Sequence, residues 1–203
     1  MGKGDTTRST ILSSAVALAS EAGLSGVSIG TLAERTGMSK SGLFAHFASK
    51  ENLDVAILTE AVARFISHVV APALKEPRGE PRVRALFERW LKWPTLDFQP
   101  GGCIFMVAGV ELDDRPGPAR DVLVAAQRDW IQTLGHAASI AKEEKHFRID
   151  LDENQFAYEL FSLVIGSYYV HRLGLDPRSP KRVRASFERL IQDACRAERA
   201  HSR

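Results

Sequence analysis

Long apolar runs and cysteine are both scarce in this 203-residue chain. The longest apolar stretch, residues 160–170, is broken by a glycine and two serines and is too short to cross a bilayer. The first nine residues are polar and lack the apolar core of a secretory signal, so we expect a cytoplasmic protein with no membrane partner. The two cysteines, Cys103 and Cys195, have no metal-ligand spacing, and we predict that both are reduced thiols.

Several motifs that mark enzymes are also missing. The chain has no Walker loop, no dinucleotide-binding glycine fingerprint and no His-Glu-x-x-His pair. Ser139 and Lys142 match a Ser-x-x-Lys pair by spacing, but the companion motifs of that pair are absent. We therefore predict that the protein is not an enzyme and has no catalytic residue, metal site or cofactor.

Strand-like alternation is almost absent. Its one candidate is residues 147–151, which we assign to a loop. Elsewhere apolar residues recur at helical spacing and are punctuated by glycine and proline. This pattern predicts an all-α fold, with helices outside the 28–47 stretch near residues 6–22, 49–70, 82–93, 102–112, 118–145, 152–173 and 180–198.

The stretch 28–47 contains the most specific pattern. Ser28 is suited to the N-cap of a short helix, and Gly37 can end that helix because glycine enters the left-handed region at little cost. Ser39 can then cap a second helix that begins at Lys40. Two helices joined by such a turn form a helix-turn-helix, whose second helix enters the DNA major groove. An ordinary helical hairpin within an all-α core remains the alternative.

The charge distribution agrees with contact to phosphate. Net charge is only +2, but the first fifty residues carry five lysines and arginines against three acidic residues. A positive excess on a compact domain is typical of nucleic-acid binding.

Residues 10–58 resemble the DNA-binding domain of the TetR family of one-component bacterial regulators. The matching features are a first helix ending in Glu-Ala-Gly, a serine-led second helix, and Ala33, Gly37, Ser39, Leu43, Phe44, His46, Phe47, Lys50 and Leu53 in register. The remainder resembles the family in length and helical character. The resemblance implies an N-terminal three-helix helix-turn-helix domain, residues 1–71 with a linking helix, and a C-terminal ligand-binding and dimerisation domain, residues 72–203, with about nine helices in all.

The helix-turn-helix pattern identifies candidate DNA contacts. The side chains expected at base edges are Lys40, Ser41, Gly42 and Ala45. Phosphate contacts are expected from Ser28, Thr31, Ser39, His46 and Lys50. His46 fits equally well a role in bracing the helix pair. In the family the Phe44 position is commonly a tyrosine whose hydroxyl meets a phosphate, so here we expect Phe44 only to pack on sugar.

The predicted C-terminal domain, residues 72–203, holds most of the aromatic residues, which suit either a core or a pocket for a small apolar or aromatic effector. For any single aromatic residue the core role is favoured. The predicted ligand-binding residues are Phe65, Trp90, Trp93, Phe105, Met106, Gln127, Trp130, Phe161 and Tyr168.

The last two long helices are the predicted dimer surface. Gly166 and Ser167 would permit close backbone approach, and the final helix carries an apolar stripe of Val183, Phe187, Leu190, Ile191 and Ala194. The alternative is that these residues close the core of a single chain. Residues 182–189 also echo residues 82–89, which we interpret as two amphipathic helices with similar stripes.

Together these features predict a homodimeric, ligand-responsive transcriptional regulator, and specifically a repressor that a small molecule releases from a palindromic operator. Two alternatives stay open. One is a helical protein–protein adaptor that does not bind DNA. The other is a thiol-sensing regulator, because Cys103 follows two glycines at a predicted helix N-terminus, where a thiol pKa is lowered.

Overall fold

The computed structural model describes residues 3–196, with side chains from residue 7 onward, and every regular element in that range is helical. The α-helices are α1 (Lys3–Ala22), α2 (Ile29–Thr36), α3 (Lys40–Phe47), α4 (Lys50–Phe65), α5 (Ala71–Ala73), α6 (Glu80–Lys92), α7 (Ile104–Leu112), α8 (Pro118–Glu143), α9 (Glu153–Arg172) and α10 (Ser179–Cys195).

Two irregular helical segments complete the list: a π-helical segment at Ile66–Val70 and a 3-10 turn at Trp93–Thr95. The all-α prediction is confirmed, and residues 147–151 form a loop as predicted. The predicted end of the last helix, near residue 198, lies outside the described residues.

The chain divides into two compact units. The first comprises Met1–Ala71 and Lys92–Gln127, and the second comprises Pro72–Leu91 and Arg128–Arg203. One division therefore falls at the predicted boundary between residues 71 and 72, and the others fall within α6 and α8. The assignment of DNA binding to residues 1–71 and of effector binding to residues 72–203 stays a prediction.

The core of the first unit forms around α1. Its inward face consists of apolar residues at helical spacing, of which Ile11, Ala15 and Ala19 are fully buried. Helices α2 and α3 have eight residues each, which is too short for a helix to be stable alone in water. They are held by packing, and Leu32 and Leu43 are completely buried. We refer to α1, α2 and α3 together as the head.

In the second unit the echoed sequences pack against each other. Phe87 of α6 stacks on Phe187 of α10, with ring centroids 3.7 Å apart and planes 11° apart. Arg84 pairs with Glu188 at 2.5 Å. The reciprocal pair, Arg184 with Glu88, lies at 2.9 Å. The two segments therefore meet antiparallel, related by a local pseudo-two-fold, and the shared sequence supplies both halves of the contact.

This packing corrects the prediction that the final apolar stripe faces a second subunit. Val183, Phe187, Ile191 and Ala194 are each at most 3% exposed within one chain. These four residues close the core of their own unit, which is the alternative that the sequence left open, and the fifth, Leu190, is half-buried. Periodicity marks a buried face of a helix, but it does not say which partner buries it.

We expect Phe187→Ala to lower the free energy of unfolding by about 3–5 kcal/mol, since it removes a fully buried ring and leaves a cavity beneath Phe87. Arg184→Ala on the same helix should cost less than about 1 kcal/mol, because its ion pair is nearly half exposed. Urea denaturation of both variants measures the difference. Equal losses would contradict the packing described here.

Candidate nucleic-acid interface and effector site

Capping interactions fix both helices of the helix-turn-helix. Ser28 has extended backbone geometry; its Oγ accepts from the Thr31 amide at 3.0 Å, and Thr31 Oγ1 accepts from the Ser28 amide at 2.8 Å. Gly37 ends α2 with a φ of 68°, which favours glycine. Ser39 Oγ then accepts from the Gly42 amide at 3.1 Å and sets the start of α3 at Lys40. The predicted caps and turn are all present.

The outer face of α3 presents the residues predicted to read bases. Lys40, Ser41 and Ala45 are exposed, and Phe44 is 56% exposed. Gly42 and His46 are half-buried, while Leu43 and Phe47 fill the core. The first turn of α3 is therefore free of protein cover, as contact with a DNA groove requires.

The predicted phosphate contacts lie near this face. Ser28 and Thr31 are exposed at the start of α2, and their hydroxyls are hydrogen-bonded to one another. The ammonium of Lys40 lies 3.9 Å from the position that a Cβ on Gly30 would take. The structure thus brings the N-terminus of α2 and the first residue of α3 onto one surface.

Lys50 has a different environment from the other predicted contacts. Its Nζ donates to the Leu24 carbonyl at 2.6 Å and also pairs with the Asp54 carboxylate. The pKa of Asp54 is raised, because burial outweighs the stabilising hydrogen bond from Lys50. The contact of Lys50 with DNA stays a prediction. In this structure the side chain joins the start of α4 to the turn between α1 and α2.

Arg8 is a cationic residue that the sequence analysis did not place in the site. Its guanidinium lies over the Phe47 ring, 5.6 Å from the centroid, at the end of α3. Arg35, by contrast, pairs with Glu21 at 2.7 Å. The positive excess of the first fifty residues was the only signal for Arg8, because a cation–π contact between α1 and α3 has no sequence spacing of its own.

A serine pattern that the sequence analysis overlooked is also resolved by the structure. Residues 26–30 have the spacing Gly-x-Ser-x-Gly, which in hydrolases marks a nucleophile on a strand-to-helix turn. Here the serine is Ser28, the N-cap of α2, and residues 3–196 contain no strand to precede it. The hydroxyl is therefore a helix cap and does not have the setting of a nucleophile elbow.

Three of the predicted ligand-binding residues form an aromatic cluster in the first unit. Phe65 lies edge-on to Trp93 at 5.1 Å and to Phe105 at 5.9 Å, and all three are buried. Trp93 also contacts Phe98. We call these four residues the α4–α7 cluster. It adjoins the π-helical segment that follows Phe65, and such segments often mark functional sites.

Gln99 is a buried polar residue next to this cluster that the sequence analysis missed. It is completely buried, and its Nε2 donates to the Trp93 carbonyl. Its Oε1 is buried and has no hydrogen-bond partner among the described residues. Nothing in the sequence distinguishes it from a loop glutamine. Met106 and Gln127, which were predicted as ligand contacts, are half-buried in the same unit.

The second unit has its own aromatic cluster. Trp90 lies edge-on to Trp130 at 5.1 Å and contacts Phe161 at 5.6 Å. Tyr168 is half-buried. Two surface crevices of about 330 and 370 Å³ are lined by none of the nine predicted residues. Six of the nine predicted ligand contacts lie in these two aromatic clusters, and their role in binding an effector stays a prediction.

Cys103 departs from the sequence prediction. It does lie at the N-cap of α7, but it is only 5% exposed. Burial raises the pKa of its thiol, and hydrogen bonds from the Met106 and Phe105 amides and from Trp93 offset this only in part. The expected lowering of the pKa is wrong, because desolvation of the thiolate outweighs the helix N-terminus.

These features define a class of protein: an all-helical regulator that presents a capped helix-turn-helix to DNA. Comparison with protein families identifies the class more closely. Residues 11–57 match the model of the bacterial regulatory proteins of the tetR family, and residues 79–187 match the tetracyclin repressor-like C-terminal domain. The second match covers more than half of the chain. The protein belongs to the TetR family of transcriptional regulators, and it is a DNA-binding regulator.

Solved structures show the same fold at low sequence identity. A TetR-family regulator from Cytophaga hutchinsonii is 24% identical, with a TM-score of 0.82 over 98% of this chain and 99% of that one. A regulator from Saccharomonospora viridis in complex with choline is 24% identical, with a TM-score of 0.80 over 93% and 96%.

AibR, in complex with isovaleryl coenzyme A and operator DNA, is 24% identical, with a TM-score of 0.66 over 79% of this chain and 85% of that one. No curated protein matches the sequence. Among the described residues, no helix is both long and apolar enough to cross a membrane.

We expect Phe44→Tyr to strengthen DNA binding, because the exposed ring would gain a hydroxyl on the proposed DNA face that can donate to a phosphate. A hydrogen bond to a charged group is worth about 1.5–3 kcal/mol, and partial exposure places this one at the lower end. The gain should be similar for specific and random duplexes, since a phosphate contact carries no sequence information. Fluorescence anisotropy with both duplexes tests this, and a gain confined to the specific duplex would contradict it.

Thiol labelling should distinguish the two cysteines. In the native protein, iodoacetamide should modify the exposed Cys195 and leave the buried Cys103 intact, whereas both should react in urea. Mass mapping of the labelled peptides gives the result. Native labelling of Cys103 at the rate of Cys195 would restore the thiol-sensing alternative.

Proposed function

We propose that the protein is a homodimeric repressor that a small molecule releases from a palindromic operator. The observation that carries this proposal is the capped, uncovered first turn of α3, with Lys40 and Ser41 exposed. The caps would stabilise these short helices in an adaptor as well, so the feature that favours DNA binding is the exposed lysine and serine at the start of α3.

The DNA-bound arrangement follows from the surface of α3. With α3 in the major groove, Lys40 donates to O6 and N7 of a guanine, and Ala45 contacts a thymine methyl group. Ser28, Thr31 and the N-terminus of α2 lie on the same surface and bind phosphate. Phosphate contacts set the register and Lys40 supplies specificity.

One head makes few base contacts, so specific binding requires two. Helix α9 offers the surface for pairing, because exposed residues form a stripe at helical spacing beside the half-buried Ile165: Tyr158, Ser162, Gly166, Tyr169 and Leu173. Tyr158 and Tyr169 are 66% and 59% exposed, which is unusual for large side chains on one helix face. Among the described residues, nothing beyond the local helix backbone lies within 4 Å of the place where a Cβ on Gly166 would stand, so a second chain can approach closely there.

The proposed effector is a small apolar or aromatic molecule that binds among the aromatic clusters. Two solved structures of the same fold hold choline and isovaleryl coenzyme A, which supports a ligand for this chain without identifying it. Helix α4 links the head to the α4–α7 cluster, because it begins at Lys50 and ends at Phe65. A ligand that favours one position of α4 would change DNA affinity, with a usual coupling of about 1–3 kcal/mol.

DNA binding can be tested with an operator selected from random duplexes. We expect affinity for this operator to fall steeply with salt, because bound phosphates release counterions. Lys40→Ala should weaken operator binding by about 1–3 kcal/mol and random-duplex binding by much less. Lys75→Ala, which removes the same charge from an exposed residue outside the head, is the control. Equal losses on both duplexes would make Lys40 a phosphate contact, and no duplex preference at low salt would favour the adaptor.

Dimerisation can be tested with a matched pair of glycines. Gly166 on α9 and Gly109 on α7 both lie in helices and both have open space around a built Cβ. Leucine at either position improves helix propensity by up to about 1 kcal/mol, so both variants should fold. We expect Gly166→Leu to shift the protein towards monomer and Gly109→Leu to leave the dimer unchanged, as measured by sedimentation velocity. A dimer that survives Gly166→Leu would place the interface elsewhere.

A further inference from the structure

The turn between α1 and α2 is held from two sides by charged side chains. The Leu24 amide donates to Glu111 Oε2 at 2.6 Å, and the Leu24 carbonyl accepts from Lys50 Nζ at 2.6 Å. Both polar groups of one residue of the turn are thus bound by a carboxylate from α7 and an ammonium from α4. Bonds of this kind are stronger than neutral hydrogen bonds.

Glu111 makes further contacts with the same turn. Its Oε1 accepts from the Ser25 amide at 3.3 Å and from the Ser25 hydroxyl. Gly23 precedes these residues with a φ of 75°, and a Cβ built on it would lie only 2.3 Å from Glu111 Oε1. The close approach of the carboxylate therefore depends on a glycine at residue 23.

Helix α7 connects this contact with the α4–α7 cluster. Phe105, in the first turn of α7, packs against Phe65 and Trp93. Glu111, in the last turn, binds the head. The helix has nine residues and a length of about 13 Å, which is short enough to move as one body. A displacement of Phe105 would therefore reach the turn through Glu111.

We infer that Glu111 is a positioning residue that couples the aromatic cluster around Phe105 to the head, by binding the Leu24 and Ser25 groups of the α1–α2 turn. The inference rests on the proposed DNA-binding function. It does not require Glu111 to touch DNA or effector. Because coupling is reciprocal, DNA bound to the head should alter the behaviour of α7, and the loss of the carboxylate should remove that effect.

Hydrogen exchange of the full-length protein, with and without selected operator DNA as the probe, tests this inference. In the wild type we expect DNA to slow amide exchange within residues 104–112 by about fivefold or more, the lower end of the usual coupling range. Glu111→Gln keeps the shape of the side chain but loses its charge and one acceptor. In this variant operator binding should persist, and the slowing of amide exchange in α7 by DNA should fall below half of the wild-type value.

Two further variants make the test specific. Asp114→Asn removes the same charge from an exposed turn three residues later and should leave the effect of DNA on α7 intact. Ser25→Ala removes the hydroxyl donor on the opposite side of the contact, so it should remove part of the effect of DNA on exchange in α7. Combined with Glu111→Gln in a double variant, it should add little further loss. If Glu111→Gln itself fails to bind DNA, Ser25→Ala decides the question.

The outcomes separate this inference from the proposed function. A wild type that binds no duplex would overturn the proposed function. A wild type that binds operator but shows no change in α7, or a Glu111→Gln variant that keeps the full change, would overturn the role of Glu111 alone. A merely structural role would lower thermal stability but leave the response of α7 to DNA in place.

Discussion

The orientation of α3 depends on the capping of two short helices. An eight-residue helix has too few internal hydrogen bonds to offset the cost of nucleation. Ser28 and Ser39 satisfy amides that would otherwise face solvent unpaired, and Gly37 turns the chain between them. Everything proposed for DNA binding requires this geometry, because it determines which residues of α3 lie outside and which lie in the core. The buried Leu43 and Phe47 then fix α3 against the head.

The features that the sequence predicted well are local. A cap, a left-handed glycine and an apolar stripe act within one or two turns, so their residues lie close together along the chain. The helix-turn-helix was predicted to the residue for this reason, and most helix bounds were predicted within a few residues. Membership of the TetR family, first seen as a resemblance over residues 10–58, is confirmed by matches to both domains.

The features that the sequence did not predict depend on distant residues. The partner of the α10 stripe is Phe87 and its neighbours, a hundred residues earlier. Lys50 has the charge of a phosphate contact but binds a turn that lies 26 residues before it, and Glu111 reaches 87 residues back. Cys103 has the position of a reactive thiol, yet tertiary burial reverses the direction of its pKa. Six of the aromatic residues that the sequence assigned to one effector pocket form two clusters, one in each unit, and this pairing follows from packing alone.

The π-helical segment at Ile66–Val70 gives this part of the chain room for a change of length. Such a turn holds one residue more than an α-helical turn. Deleting one residue there would therefore convert it to an α-helical turn and leave the flanking residues near their present angular positions. The same deletion inside Lys50–Phe65 would rotate the residues after it by about 100° relative to those before it and turn part of the buried face of α4 outward. Single-residue deletions should thus be better tolerated between residues 66 and 70 than within α4.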